Sequence, residues 1–301
     1  MLISTEIASA AKLVGEEKAV EWVAKAGFDA WDFSMFAMVR YDWTNRCLLP
    51  NDHPLCRPDY LKFARGLRNI GLDNGIHCNQ SHAPFPTAHP DIRGYMKRAI
   101  ECTAEAGGKI VIIHPNNDAS PEENAAFYLE LLPFAKEHGV KIATENMWNW
   151  DTKRNCATAC ACSTPDSFMA HLDAVNDPSF VACLDIGHAE MRSLGTNAVE
   201  MIHALGGRLQ ALHIHDNDLV NDSHMIPFAG KIDFSAIIAA LKAVNYQGYL
   251  TLEADTYLKA FTADTAFEGI RNLAAAANRL QIMYEDKQWT SYIEKMNCGS
   301  P

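Results

Sequence analysis

FVACLDIGHA (residues 180–189) runs five apolar residues straight into an aspartate, and a histidine follows three positions later. A continuous apolar run without polar alternation suits a strand covered on both faces, as in a parallel sheet flanked by helices. Asp185 and His188 then stand at the end of that strand. The same arrangement recurs along the chain. NQSHAP (79–84) presents His82, KIVIIHP (109–115) presents His114, and KIATEN (141–146) presents Glu145. LQALHIHD (209–216) presents His213, His215 and Asp216, and YLTLEAD (249–255) presents Glu253 and Asp255. One such case means little. Six in succession put carboxylates and imidazoles at the ends of consecutive strands, where they can hold a divalent ion and move protons.

Working outward, LISTEI (2–7), AWDFSM (30–35), GIHCNQ (75–80) and the runs starting at 109, 141, 180, 209 and 249 read as eight strands. Helical segments fill the intervals. EEKAVEWVAKAG (16–27) stops at Gly27, 91–108 reads as one helix, and SPEENAAFYLELLPFAKEHG (120–139) opens with a Ser cap and Pro at the first turn. Alternation of this kind implies a parallel sheet with right-handed crossovers. Eight units in 301 residues predict a single (β/α)8 TIM barrel spanning residues 1–301 as one domain. No GxGxxG follows any strand, which argues against a dinucleotide-binding sheet. Two connections, 36–58 and 146–164, are long for this fold and are expected to cover the active site. The closing Gly-Ser-Pro (299–301) reads as a remnant of expression.

Bulk properties narrow the classes. A net charge of −11 repels polyanions, so neither nucleic acid nor an anionic membrane is expected as a partner. The N-terminal stretch is broken early by Glu6, Glu16, Glu17 and Glu21, and no run reaches the ~18 apolar residues of a membrane span. A cytoplasmic enzyme is the expectation. Nine scattered cysteines do not form a disulfide framework, and Cys156, Cys160 and Cys162 lack zinc-site spacing, so they read as reduced thiols.

Glu145 and Glu253 follow buried strands directly, which suits a metal ligand or base better than a solvated face. Asp185 and His188 are three apart and can reach one site. Strand alternation points His213 and His215 to the same side. His215, nearer the rim, reads as the better ligand and His213 as a core histidine. Asp222 and His224 in DSHMIPFAGKIDF (222–234) form a D-x-H pair on the next loop. His82 and His114 are expected to line the site, and Lys231 to be solvated. Trp31, Phe85, Trp148 and Trp150 are candidates for stacking on a sugar face.

AGFDAWDFS, HAPF, IIHP, ATENM, CLDIGHA, HIHDND, DSHMIPFAGKIDF and LEAD, in this order, give the chain a resemblance to the xylose isomerase-like TIM barrel superfamily. The resemblance is to its sugar phosphate isomerase/epimerase group. It implies a metal-dependent sugar or keto-polyol isomerase or epimerase working by proton transfer through an enediolate. By position, it assigns one divalent ion (Mn2+, Mg2+ or Co2+, with Zn2+ also compatible) to Glu145, Asp185, His215 and Glu253. Glu145 and Glu253 would be the acid/base pair, and His82, His114, His188, Asp222 and His224 would contact substrate. The epimerases it resembles carry an arginine shortly after the metal histidine, and HIHDNDLVND has none. The same superfamily holds endonuclease IV-type abasic-site nucleases, whose three-zinc ligand pattern also fits these residues in order. A non-catalytic sugar-binding barrel is the third reading. The outer helices of such barrels often pair, so a homo-oligomer is compatible.

Overall fold

In the computed structural model, which describes residues 1–286, eight parallel strands follow one another round a barrel. They are β1 (Leu2–Glu6), β2 (Ala30–Ser34), β3 (His77–His82), β4 (Ile110–Ile112), β5 (Lys141–Glu145), β6 (Phe180–Asp185), β7 (Leu209–His213) and β8 (Tyr249–Leu252). Their order is the chain order, with β8 beside β1. The ring closes where Ile214, just past β7, donates its N–H to Thr251 O at 2.9 Å and accepts from Glu253 N at 3.0 Å. This is the expected (β/α)8 TIM barrel.

The strands sort their residues by parity. Val111, Ile142, Ala182, Leu184, Leu212 and Leu252 join the large outer core under the helices. Ile112, Ala143, Val181, Cys183 and Ala211 form a separate small cluster inside the barrel. Below the rim the barrel interior also holds a hydrogen-bonded net: Ser4 Oγ donates to Asn79 Oδ1 at 2.7 Å, and Asn79 Nδ2 donates to Thr251 Oγ1 at 3.2 Å. Buried polar groups persist in a barrel interior only when they are paired in this way.

Several boundaries differ from the sequence reading. β3 starts at His77 rather than 75, because Gly75 takes a left-handed turn (φ 81°) first. β7 ends at His213, since Ile214 changes partner to β8. The helix read over 91–108 is two, Pro90–Arg93 and Met96–Ala106, parted at Gly94 and Tyr95. Both long connections contain hairpins, and the two are built alike. Asp42 pairs with Cys47, and Asp151 with Cys156. Each aspartate accepts two N–H groups of its own turn, from Thr44 and Asn45 and from Lys153 and Arg154 respectively. Each turn exits through a residue at φ 52°, Arg46 or Asn155. The Gly-Ser-Pro at 299–301 lies outside the described residues. No helix among the described residues is long and apolar enough to cross a membrane.

The β7–α loop is organised by one carboxylate. Asp216, fully buried, accepts from the N–H of Asn217 (2.8 Å), Gly230 (2.8 Å) and Ile232 (3.1 Å). A Cβ on Gly230 would meet Asn217 O at 2.3 Å, so only glycine allows this approach. Asp216→Ala leaves three N–H groups without their acceptor, those of Asn217 and Ile232 buried, and is expected to cost about 2–3 kcal/mol in urea unfolding. A loss below about 0.5 kcal/mol, the range of a neutral surface change, would show that the loop holds without it.

Candidate active site

The inward rows all change character at their last residue. Ala143 is followed two positions on by Glu145, Cys183 by Asp185, Ala211 by His213, Gln80 by His82, Ile112 by His114 and Thr251 by Glu253. Two-residue periodicity keeps each pair on the same side, so the apolar interior is capped by a layer of acids and imidazoles. Register sets their height: Asp185 pairs with His213, and Cys183 lies opposite Glu145.

His213 sits between the two glutamates. Its Nδ1 is 3.1 Å from Glu145 Oε1 and 3.3 Å from Glu253 Oε2. Donor atoms of Glu145, Asp185, His213 and Glu253 all lie within 4.8 Å of one another. The two glutamates nevertheless titrate apart. Burial opposes ionisation of Glu145, but His213, His114 and His82 outweigh it and hold the carboxyl well below the usual range. Glu253 is pushed up to about 7, first by burial and then by the charge of Glu145, with His213 opposing. Burial lowers the affinity of His213 for its proton, yet Glu253 and Glu145 raise it well above the ordinary value. Two carboxyl groups driven apart in this way are the usual arrangement for an acid/base pair.

Two further groups flank the centre. His82 and His114 meet through their Nε2 atoms at 2.9 Å, and both face Glu145 Oε2, at 3.5 and 3.3 Å. His114 is pushed down to about 4, by burial and by His82. On the other side His188, His215, Asp222 and His224 gather. His188 and His224 each lie 3.2 Å from Asp222 Oδ2. His215 Nε2 is 3.0 Å from Asp185 Oδ1 and 3.4 Å from Asp222 Oδ1, and its ring stacks on His224 at 3.9 Å. His188 is raised to about 10: burial opposes protonation, and Asp185 and Asp222 overcome it.

The donor chemistry suits a divalent cation. Glu145 Oε2, Asp185 Oδ2, His215 Nε2 and Asp222 Oδ1 are buried without a hydrogen-bond partner, an arrangement that costs free energy unless something else neutralises them. Three imidazoles are turned for ligation. His82 Nδ1–H donates to Ala83 O at 2.7 Å, His188 Nδ1–H to Asn146 O at 2.8 Å, and His224 Nδ1–H to Glu253 O at 2.7 Å. Each bond turns Nε2 toward the site, the orientation a metal ligand needs once that nitrogen gives up its proton. Glycine makes room for the rest: a Cβ at Gly187 would lie 1.9 Å from the His215 ring.

Glu145, Asp185, Glu253, Asp222 and the histidines His82, His114, His188, His213, His215 and His224 converge on this mouth, but not in the expected grouping. His213, read as core, takes the position between the glutamates. His215, read as their partner, belongs to the group around Asp222. The physical reason is that β7 ends at His213, so His213 continues the inward row while His215 lies on the loop. Trp31 is fully buried in the outer core and faces no site. Phe85 stacks on His114 at 5.0 Å, and Trp148 Nε1–H donates to Asp222 at 3.3 Å. Trp150 packs on Trp148. Lys231 is solvated, as read. Cys156, Cys160 and Cys162 are free thiols. Sequence reading passed over Asn146, whose amide brackets Asp185 through bonds of 2.9 and 2.7 Å, and Asp32, which faces His213 Nε2 at 3.4 Å.

Comparison with known proteins gives one family and many structural neighbours. Residues 20–285 match the xylose isomerase-like TIM barrel family. The protein MJ1311 of Methanocaldococcus jannaschii is 26% identical over 252 residues, 78% of this chain and 77% of that one. An L-ribulose 3-epimerase of a Methylomonas species is 27% identical over 141 residues, covering 46% of this chain and 44% of the other. Among solved structures, an L-ribulose 3-epimerase superposes with TM-score 0.67 at 18% identity, covering 99% of this chain and 98% of that one. The zinc-bound IOLI protein gives TM-score 0.69 at 19% identity, with coverage of 94% and 99%. At these identities the superpositions speak for the fold.

The raised Glu253 has a consequence for stability. In the metal-free protein it binds its proton more tightly when folded than when unfolded, where 4.5 is usual. Its contribution is therefore fully present at low pH and is lost as pH rises from about 4.5 through about 7. Glu253→Gln removes that part, so the thermal midpoint of the chelator-treated variant is expected to fall less over this window than that of wild type. Parallel curves would contradict the assignment.

Proposed function

This chain belongs to the xylose isomerase-like TIM barrel family, and from that premise we propose that it is a divalent-metal-dependent isomerase or epimerase of a sugar or sugar-like keto-polyol. The observation that carries the reading is the pair Glu145 and Glu253. Both are buried and both lie against one imidazole, with their proton affinities driven apart. We assign the metal to Glu145, Asp185, His213 and Glu253, a set of three carboxylates and one imidazole that suits Mn2+, Mg2+, Co2+ or Zn2+. When bound, the ion supplies Lewis acidity to a substrate carbonyl and its neighbouring hydroxyl, acidifying the intervening C–H.

The chain's own groups do the remaining work. One glutamate takes the proton from the carbon beside the carbonyl, leaving the substrate as an enediolate. The other glutamate returns a proton to the opposite face, which inverts that carbon. Return to the neighbouring carbon would isomerise instead. Glu145, held ionised by His213, His114 and His82, suits the base, and Glu253, near 7, suits the acid. His188, raised by Asp185 and Asp222, can donate to a substrate oxygen. His82, His114, Asp222 and His224 offer further hydroxyl contacts, and Phe85 and Trp148 offer faces for the C–H side of a sugar.

A second reading is favoured by one observation. Of five overlapping donor groups among the described residues, three together take in every acid and histidine of the cluster: His82–His114–Glu145, Glu145–Asp185–His213–Glu253 and His188–His215–Asp222–His224. That count suits a three-zinc phosphodiester hydrolase of the abasic-site nuclease type. The net charge of −11 speaks against it, because a DNA-binding face gains affinity from several lysines or arginines on phosphates. Soluble expression in the cytoplasm and a neutral polyol as the partner follow from the isomerase reading.

Two measurements separate these readings. Incubating the loaded enzyme with ketopentoses and ketohexoses in D2O is expected to introduce deuterium beside the carbonyl as the epimer forms, visible by NMR. Glu145→Gln and Glu253→Gln are each expected to cut that exchange by about 10²–10⁴-fold, and full exchange in either variant would remove its acid/base role. Elemental analysis is expected to find one tightly held divalent ion per chain. Three zinc ions together with cleavage of an abasic-site duplex would establish the nuclease reading instead.

A further inference from the structure

The four histidines His82, His188, His224 and His213 differ in what holds the ring nitrogen that points away from the site. For the first three it is a main-chain carbonyl that accepts from Nδ1–H. His213 is turned the other way round: Nδ1 faces Glu145 and Glu253, and Nε2 faces into the barrel. The side chain it meets there is Asp32, whose Oδ2 lies 3.4 Å from Nε2, at ion-pair distance but without a formed hydrogen bond.

Asp32 is a costly residue to keep in this position. It lies on β2, fully buried, and makes no contact with a cation of the Lys or Arg type. Its carboxylate is held in place by neutral donors. Gln80 Nε2–H donates to Oδ2 at 2.9 Å, and Ser34 Oγ–H donates to Oδ1 at 3.2 Å. Gln80 is anchored in turn, since its amide also donates to Leu212 O at 3.3 Å, next to His213 in the chain. A buried carboxylate costs several kcal/mol of desolvation unless it is paired. Two neutral hydrogen bonds fix its direction without supplying the compensating charge. The remaining side chain facing it is the imidazole of His213, 3.4 Å away.

We propose that Asp32 is a positioning residue for the metal centre, with Gln80 and Ser34 as its supports. Its carboxylate would keep the ring proton on Nε2, which faces it, so that Nδ1 presents its lone pair toward Glu145, Asp185 and Glu253. A carboxylate behind a ligating histidine also raises the basicity of the ring, which strengthens ligation. The proposal rests on the metal assignment made above but not on the reaction. It explains why β2, which contributes no donor to any of the three groups, carries a buried acid in WDFS (31–34).

The test is metal affinity, read with Co2+ on the purified full chain. Asp32→Asn keeps the shape and one acceptor but removes the charge, and Gln80→Met keeps Asp32 but frees its direction. Asp32→Asn is expected to weaken Co2+ binding by about 10–100-fold and to shift the visible absorption bands of the bound ion. The thermal midpoint of the metal-free protein should not fall, because a buried charge has been removed. Gln80→Met is expected to weaken binding in the same direction by a smaller factor. Wild-type affinity and unchanged bands in both variants would overturn the proposal while leaving the metal centre standing. A wild-type protein that binds no Co2+ would overturn the metal assignment and the role of Asp32 together.

Discussion

Two carboxylates pressed against one buried imidazole set the terms for the rest of this structure. Glu145 and Glu253 share Nδ1 of His213 in a space largely withdrawn from solvent. Charges removed from water must find compensation nearby or neutralise. The site uses both routes: Glu145 stays ionised among three imidazoles, and Glu253 moves toward neutrality. Everything else at the mouth follows from keeping that cluster in register. The Asn146 amide brackets Asp185, main-chain carbonyls fix three histidine tautomers, and Gly187 leaves the gap into which His215 fits.

The barrel makes such a cluster inexpensive to build. Four strands need only one change, from inward Ile112, Ala143, Cys183 or Ala211 to an acid or imidazole two positions on, and the parallel register brings those positions together. The outer rows stay apolar under the helices, so folding and chemistry draw on different faces of the same strands. The two matching hairpins, 41–48 and 149–158, are added on connections and leave the barrel register untouched. Their aspartates serve their own turns and make no contact with the site, while the adjoining Trp148 reaches Asp222.

Much of this was legible in the chain. Apolar runs at 110–113 and 180–184 gave away buried parallel strands, and the acids and histidines after the strands marked the rim. Seven of the nine donors at the mouth other than His213 follow such strands, while Asp222 and His224 read only as a D-x-H pair on the loop beyond β7. What escaped was pairing. His213 and His215 share a parity, and only the hydrogen bonds of Ile214 to β8 show where β7 stops and which histidine remains in the inward row. Asp32 was hidden for the same reason, because nothing local distinguishes a buried acid on β2 from a solvated one. The helix at 91–108 failed on local chemistry: Gly94 parts it, and a period count does not register a single glycine.

The account's central claim is that one divalent ion sits between Glu145, Asp185, His213 and Glu253, within reach of both glutamates. Anomalous diffraction from crystals grown with Mn2+ addresses it directly. The predicted result is a peak about 2.0–2.3 Å from a donor atom of each of those four residues. A strongest peak on His215 and Asp222, with Glu253 turned away from any ion, would contradict it.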